Sequence, residues 1–570
     1  MTWYSESIPP VPQTTAAMVR AAFPKGNLYV DLHTEFGAIY DGDGFADLYS
    51  KNRGRRVEVA PWRLALVTVM QYMEGLSDRQ AADAVRRCMD WKYALSLELS
   101  DPGFNFTLLH DFRERLVRHE SAQQLLDTLL GACKTRGLIK PRGTQRTDST
   151  HVLAAIRTLN RLELALETLR AALNQLSEAD ATWVRQWAPL EWYEHYGPRA
   201  ESYRLPKEAS KRDALAVQIG ADGYALMDAI YGGDDAQHLR HLPDVEVLRR
   251  VWVQQYYRCT EAEMEEVRWR SNDEQPPSAL RIQSPYDLDA RYCTKRDTEW
   301  VGYKTHLSDT CDEGYPNLLT QTLTTLSTTQ DSVMGPTIQQ DLAQRDLLPG
   351  AHLVDTGYVN AAFLVTAQSQ HHIDVVGPPM ASYSPQSQSG QGYGLEAFEL
   401  DWEGKQARCP QGHLSVNWRP GHYVSGDRVI RIRFDRATCR ACEARALCTR
   451  AQDAPRLLTV LPQAQHVALQ AARQRQESEE FKQRYALRAG AESTISQGVR
   501  RFDLRRSRYI GLARTQLQQT INATAINLVR LAAWLRKGGV EAPKRQPGHF
   551  ARLAPPPLFG LAACEAGATG

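Results

Sequence analysis

Short apolar segments place the strongest constraint on the fold of this chain. AHLVDTGYV (351–359) and HIDVVGPP (372–379) are typical of strands buried in a sheet that helices cover. The mixture of β-branched and polar residues in TQRTDSTHVLAAI (144–156) predicts another strand. EWVGYKTHLSD and NLLTQTLTTLST, separated by turn residues, predict an antiparallel pair. Because helical sequence surrounds these strands, we predict an α/β fold.

The length of 570 residues is too great for one ordinary core and predicts two to four domains. Changes of pattern along the chain divide it into a loop-rich segment (1–60), a helical segment (61–140), a strand-containing segment (141–379) with a mostly helical insertion (157–280), a linker with a cysteine-bearing insertion (380–460), C-terminal helices (461–540) and a disordered tail (541–570).

Two helices near the start of the helical segment have the outline of a helix-turn-helix. Pro61 suits a first helical position, Gly75 breaks the first helix, and Ser77 with Gln80 resembles a capping box for the second. Four basic side chains on this unit are candidates to face DNA phosphates: Arg79, Arg86, Arg87 and Lys92. The alternative is a helical hairpin that binds nothing.

Composition narrows the location and class of the protein. The formal net charge is only +2, so the basic residues act locally and the chain is not a uniformly basic protein. No apolar run of 18 residues occurs, and the N-terminus lacks the features of a secretory signal. Six of the ten cysteines are scattered, which favours reduced thiols. We predict a cytoplasmic protein without a membrane span.

One acid stands in an arginine-rich window between residues 485 and 535. Glu492 is surrounded by Arg484, Arg488, Arg500, Arg501, Arg505, Arg506, Arg508 and Arg514. Arginines neutralise phosphates, and a carboxylate can hold a divalent cation that acts on one of them. The alternative is a solvated helix with an Arg488–Glu492 ion pair, worth about 0.3–0.5 kcal/mol.

Two aspartates fall where strands are predicted. Asp148 lies within its strand and Asp355 at the end of another, although aspartate is disfavoured in strands. Either carboxylate can form an Asx turn, which is the structural alternative. Together with Glu492, they supply the hard oxygen ligands from separate elements that a divalent metal pair needs.

Four cysteines between residues 409 and 448 are candidates for a structural zinc site. They are Cys409, Cys439, Cys442 and Cys448. A C-x2-C pair is a frequent zinc half-site, and four thiolates make a closed structural site. Cys409 has no close partner in sequence, and His413 is an alternative ligand. A set of reduced thiols is the other interpretation.

The C-terminal window resembles a known family. Tyr485, Arg488 and Glu492 reproduce the Tyr-x2-Arg-x3-Glu part of a signature in DDE transposases of bacterial insertion sequences. SPYDLDARYCTKRDTEWVGYKTHL (284–307) is similar to the segment that leads into the second core strand of such enzymes. The resemblance covers residues 60–540 approximately, and these transposases also carry a cysteine-rich insertion at the corresponding place.

The resemblance implies a ribonuclease H-like catalytic core, formed here by residues 141–379 and 461–540. It also implies a helical domain before the core, which corresponds to residues 61–140. Asp148, Asp355 and Glu492 match the Asp-Asp-Glu triad, which would hold Mg²⁺ or Mn²⁺. Val499 stands where related enzymes have a lysine. The residues implied to contact DNA are Tyr485, Arg488, Arg500 and Arg501.

The implied activity is cleavage at the ends of a mobile element, followed by strand transfer. The implied partners are the terminal inverted repeats and target DNA, acted on by a homodimer at the bacterial nucleoid. Two alternatives stay open: a ribonuclease H-like nuclease without strand transfer, and a domesticated DNA-binding protein without catalysis. A glycosidase is disfavoured because the surroundings of the triad are too rich in arginine for a neutral sugar.

Overall fold

The computed structural model of the chain describes residue 2 and residues 7–41, 43–50, 56–261, 264–381, 385–388 and 392–538. The predicted disordered tail (541–570) lies outside the described residues, as does part of the predicted linker. No helix among the described residues is both long enough and apolar enough to cross a bilayer.

The chain begins with helices that pack into one bundle. They are α1 (Gln13–Ala22), α2 (Leu28–Phe36), α3 (Pro61–Met73), α4 (Asp78–Arg87), α5 (Met89–Ala94), α6 (Thr107–Arg118) and α7 (Gln124–Thr135). Residues 1–60, predicted to be loop-rich, thus contain α1 and α2. The side chain of Asn27 caps α2 by accepting a hydrogen bond from the Val30 backbone N–H. The predicted capping box of Ser77 and Gln80 is present at the start of α4.

The helix-turn-helix-like pair exposes one helix more than the other. Nearly every residue of α3 is buried, whereas Arg79, Arg86 and Arg87 of α4 are exposed. Lys92 is only 2 % exposed, and its Nζ donates to the carbonyl of Asp101 at 2.7 Å. The prediction that Lys92 faces phosphates is therefore wrong, because its charge is used inside the protein.

A strand and a second helical region follow. β1 (Thr144–Leu153) leads into α8 (Arg161–Ala179), α9 (Ala181–Trp187), α10 (Leu190–Tyr196), α11 (Ala209–Gly232) and α12 (Pro243–Gln255), and then into the hairpin of β2 (Tyr256–Glu261) and β3 (Met264–Trp269). Residues 157–280 are thus mostly helical, but the hairpin is not predicted by the sequence. This region has its own hydrophobic core, which includes Trp192 and Trp252.

The remaining strands of the central sheet come next. The elements are β4 (Arg291–Lys295), β5 (Thr298–Thr310), β6 (Leu319–Leu326), α13 (Met334–Gln344), β7 (Ala351–Val354), α14 (Ala361–His371) and β8 (Asp374–Val376). The sheet runs β4-β5-β1-β7-β8, and β6 also pairs with β5. β1 is antiparallel to β5 and parallel to β7, so the sheet is mixed. The predicted α/β class is confirmed.

The cysteine-bearing region forms small sheets around a separate core. Its elements are α15 (Pro385–Gln388), β9 (Glu399–Asp401), β10 (Gln406–Arg408), β11 (Asn417–His422), β12 (Arg428–Arg433), α16 (Arg436–Ala441), α17 (Arg445–Cys448) and β13 (Leu457–Val460). β9 pairs with β10, and β11, β12 and β13 form a second sheet. Phe398, Ile432 and Phe434 are among the buried residues of its core.

The chain then returns to the central sheet through α18 (Gln463–Arg475), α19 (Glu479–Ala486), α20 (Gly490–Phe502) and α21 (Leu512–Arg536). The long helix α21 packs against β6 and against α2, α3, α6 and α7. One continuous hydrophobic core therefore joins the N-terminal helices, the sheet and the last two helices. This packing sets the position of α20, the helix that carries Glu492.

Candidate active site

Strand register places the two predicted aspartates side by side. In the parallel pair of β1 and β7, Thr147 stands opposite Val354. Asp148 is the residue after Thr147 in β1, and Asp355 is the residue after Val354, directly beyond the end of β7. The Asx turn also occurs, because Oδ1 of Asp355 accepts a hydrogen bond from the Gly357 backbone N–H at 3.0 Å. The turn and the convergence of the acids are therefore compatible.

Glu492 faces the same cleft from the first turn of α20. The cleft has a volume of about 850 Å³, and Asp148, Asp355 and Glu492 all line it. The side chains of the two aspartates are 12 % and 26 % exposed, whereas that of Glu492 is 73 % exposed. Three acids that are far apart in sequence thus line one cleft. The side chains of the two aspartates are largely buried, and that of Glu492 is mostly exposed to solvent.

Arg488 lies among the three acids. Its Nη2 is 2.7 Å from Oδ2 of Asp148 and 4.0 Å from Oδ2 of Asp355, and its Nη1 is 3.7 Å from Oε1 of Glu492. Burial raises the pKa of the Asp148 carboxyl, and the positive charge of Arg488 opposes that shift. The Nε of Arg488 is buried and makes no hydrogen bond to any part of the chain that the structure describes. One guanidinium therefore balances much of the negative charge of the cleft.

The three carboxylates are suitable ligands for a divalent cation, but the distances between them are too long for all three to contact one ion. Carboxylate oxygens are the ligands that Mg²⁺ and Mn²⁺ prefer. Across the described ranges, no three His, Cys, Asp or Glu side chains are close enough together to hold a metal ion. For all three carboxylates to hold an ion together, their oxygens would have to approach one another more closely, and Arg488 occupies the space among them.

The residues predicted to contact DNA divide into two groups. Tyr485, Arg488 and Arg500 line the cleft, as does Val499 at the position of the family's lysine. The ring of Tyr485 stacks on Phe481 with 5.5 Å between ring centroids, so packing fixes its orientation. Arg501 is not brought to the cleft, and its guanidinium lies 5.7 Å from the ring centroid of its neighbour Phe502.

Further basic residues line the cleft, and three of them, Lys295, Arg296 and Lys304, are not predicted from the sequence to contact DNA. Lys295 lines it from the end of β4, Arg296 from the turn that follows, and Lys304 from β5. Arg505 also lines it, and its Nε donates to Oγ1 of Thr150 at 2.8 Å. Lys295, Arg296 and Lys304 lie in the segment 284–307 that resembles transposases. Basic side chains thus stand on both sides of the acids, as a phosphate chain requires.

A buried ionic network fixes α20 to the sheet. Asp309 of β5 accepts two hydrogen bonds of 2.9 Å from Arg146 of β1 and one of 2.8 Å from Oγ1 of Thr494 in α20. Arg530 of α21 lies 3.5 Å from the same carboxylate and donates to Thr494. The network joins two strands and two helices directly behind the triad.

Gly490 explains how α20 approaches the sheet. A Cβ at this position would lie 1.9 Å from Nη1 of Arg146 and 2.3 Å from its Cζ. Arg146 cannot move aside easily, because Asp309 and the carbonyl of Leu487 hold its guanidinium. Gly490 is thus both the first residue of α20 and the point at which this helix approaches β1 closely enough to exclude a side chain.

We expect Gly490→Ala to lower the free energy of unfolding by about 1–3 kcal/mol, because the added methyl group overpacks a fixed guanidinium. The helix would also shift at its first turn, which displaces Glu492. Chemical denaturation measures the first effect. Gly131→Ala in α7 is the matched control, since nothing lies within 4 Å of a Cβ there. The control should be stabilised by up to about 1 kcal/mol. Equal behaviour of the two variants would contradict the role of Gly490.

The four predicted zinc ligands meet at one cavity. Cys409, Cys439, Cys442 and Cys448 line a space of about 210 Å³ together with His413. All four are free thiols. Burial raises the pKa of Cys448, and Arg456 opposes that shift. Among the described residues, these cysteine sulfurs do not come close enough together to hold a metal ion.

Comparison with known proteins bears on two parts of the chain. A family model described as "Transposase DDE domain" matches residues 408–532, which include Glu492. A second model, "Transposase domain (DUF772)", matches residues 18–115 in the N-terminal bundle. Asp148 and Asp355 lie outside both matched ranges. No curated protein and no solved structure matches the chain. A DDE domain implies a ribonuclease H-like core, and both matches make the chain similar to DDE-type transposases of insertion sequences.

Proposed function

We propose that this protein is a transposase that cleaves DNA at the ends of its element and joins the freed 3′ ends to target DNA, using divalent cations held by Asp148, Asp355 and Glu492. The observation that carries the proposal is the convergence of these acids in one cleft walled by basic residues. When bound, the cations would activate the attacking oxygen and stabilise the leaving oxygen of the phosphodiester.

The chain's own residues would position the DNA strand. Lys295 and Arg296 on one side, and Arg500 and Arg505 on the other, would neutralise the phosphates that flank the reacting one. Arg488 would exchange its contacts with the acids for a contact with the reacting phosphate, because its planar guanidinium suits either partner. Tyr485 would contact a base near the cleavage point. With these roles, the protein would belong to the Tyr-x2-Arg-x3-Glu branch of the family.

Two further features belong to the same proposal. The four cysteines of the 210 Å³ cavity would hold a structural zinc ion after a small closure of their side chains. A homodimer would bring the two terminal inverted repeats together, since two ends must be joined to one target.

The test is cleavage of the gene's own flanking DNA by the purified full chain. In Mg²⁺ or Mn²⁺ we expect nicks at the element ends and, with target DNA added, joined products; chelation of the metal should stop both. Cleavage without joined products would favour the nuclease alternative. DNA binding without cleavage in either metal would contradict the proposal and favour a domesticated DNA-binding protein.

A further inference from the structure

A fourth carboxylate stands beside the proposed metal ligands. Asp331 begins a short 3-10 helix (Asp331–Val333) between β6 and α13, and its side chain is 12 % exposed. Its Oδ2 accepts a hydrogen bond of 3.1 Å from the hydroxyl of Ser149, the residue after Asp148. A Cβ on Gly357 would lie 3.1 Å from Oδ1 of Asp355 and 3.6 Å from Oδ2 of Asp331. Asp331 is therefore close to Asp355 and contacts the residue that follows Asp148.

A lysine, and not Arg488, balances this fourth acid. The Nζ of Lys304 lies 3.1 Å from Oδ1 of Asp331 and donates to the carbonyl of Thr329 at 2.7 Å. Its side chain is 13 % exposed, yet Lys304 lines the cleft. His306 is also near, with 4.0 Å between its Nδ1 and the same carboxylate oxygen, and burial lowers its pKa to about 4. His306 is thus neutral, so Lys304 carries the compensating charge.

We propose that Asp331 and Lys304 form an opposed pair of charges that sets the divalent-cation affinity of the triad, with Asp331 as a positioning residue that also orients β1 next to Asp148 through Ser149. This inference rests on the proposed function. A charge close to the ligands changes the affinity for a doubly charged ion, and more strongly where the charge is largely buried, as Asp331 and Lys304 are. Removal of the acid should therefore weaken binding, and removal of the lysine should strengthen it.

The experiment measures Mn²⁺ binding to the full chain saturated with element-end DNA by electron paramagnetic resonance, against the same DNA alone, in parallel with the Mn²⁺ concentration needed for half-maximal cleavage. Changes in groups just outside a metal's ligands typically alter affinity by about 10–100-fold. Asp331→Asn should raise the dissociation constant for Mn²⁺ by about tenfold. Lys304→Met should lower it by a similar factor. The double variant should bind nearly as the wild type does.

The opposite signs separate charge tuning from structural damage. A merely structural role would make both single variants bind Mn²⁺ more weakly, and the double variant weaker still, which would overturn the inference. Asp346→Asn is the matched control, since that side chain is 93 % exposed, and its Mn²⁺ affinity should not change. Wild-type protein that binds no Mn²⁺ would overturn the proposed function itself. If the wild type bound Mn²⁺ and the Asp331 and Lys304 variants bound it with the same dissociation constant, only the inference would be overturned.

Discussion

Replacing any one of Asp148, Asp355 or Glu492 by its amide will reduce DNA cleavage by on the order of a thousandfold or more, while DNA binding is retained. Charge stabilisation by a bound divalent cation is worth several kcal/mol, and each 1.36 kcal/mol is a factor of ten in rate. The amides keep the shape of the side chain but are poor ligands for Mg²⁺. Cleavage of end-labelled element DNA measures the rate, and a mobility shift measures binding.

The loss should not come from unfolding. Burial raises the pKa of Asp148 by more than the charge of Arg488 lowers it. At neutral pH the ionised carboxylate is therefore less favourable for the folded state than a neutral side chain would be. Asp148→Asn should therefore melt no lower than the wild type. Asp503→Asn is a matched control at the C-terminal end of α20, because Asp503 is not among the residues that line the cleft. Wild-type cleavage by any of the three amides would remove that residue from the triad.

Asp309→Asn will destabilise the fold by about 3–5 kcal/mol, the usual cost of leaving a buried charge without its partner. Asp309 is 2 % exposed, and both Arg146 and Arg530 depend on it. Burial lowers the pKa of Arg530, while the charge of Asp309 opposes that shift. Without the carboxylate, two buried guanidinium groups would repel each other behind α20. Urea denaturation measures the change in unfolding free energy.

A second consequence of this change concerns the cleft. Thr494 would lose its acceptor on Asp309, so α20 would be held less firmly and cleavage should fall together with stability. Asp83→Asn is the control, because Asp83 forms an exposed ion pair with Arg87. Such pairs contribute at most about 1 kcal/mol. If both variants unfolded at the same urea concentration, the network would not be what anchors α20.

Local patterns explain which parts of the fold could be predicted. The short apolar and β-branched segments became β1, β5, β6, β7 and β8, because burial in a sheet selects such residues. The helix that carries Glu492 also follows from local sequence. By contrast, α1 and α2 have few buried residues of their own, and the strands of residues 399–460 are short with weak alternation, so neither has a clear local signal.

Contacts between distant segments set the limit for the site. The sequence indicated the three acids, but it did not reveal that Arg488 lies among them. That arrangement depends on how the 3-10 helix Leu487–Ala489, which precedes α20, packs against β1. Asp331 and Lys304 are 27 positions apart on different elements, and only the folded chain brings them together at the edge of the cleft that Lys304 lines. The burial of Lys92 likewise depends on a loop carbonyl that no local pattern identifies.

The central claim is that the three acids share divalent cations, and anomalous scattering from crystals grown with Mn²⁺ and an element-end DNA tests it most directly. The account predicts anomalous density between Asp148, Asp355 and Glu492, with the Arg488 guanidinium displaced towards a phosphate. Mn²⁺ bound elsewhere, with Arg488 still paired to Asp148, would contradict it.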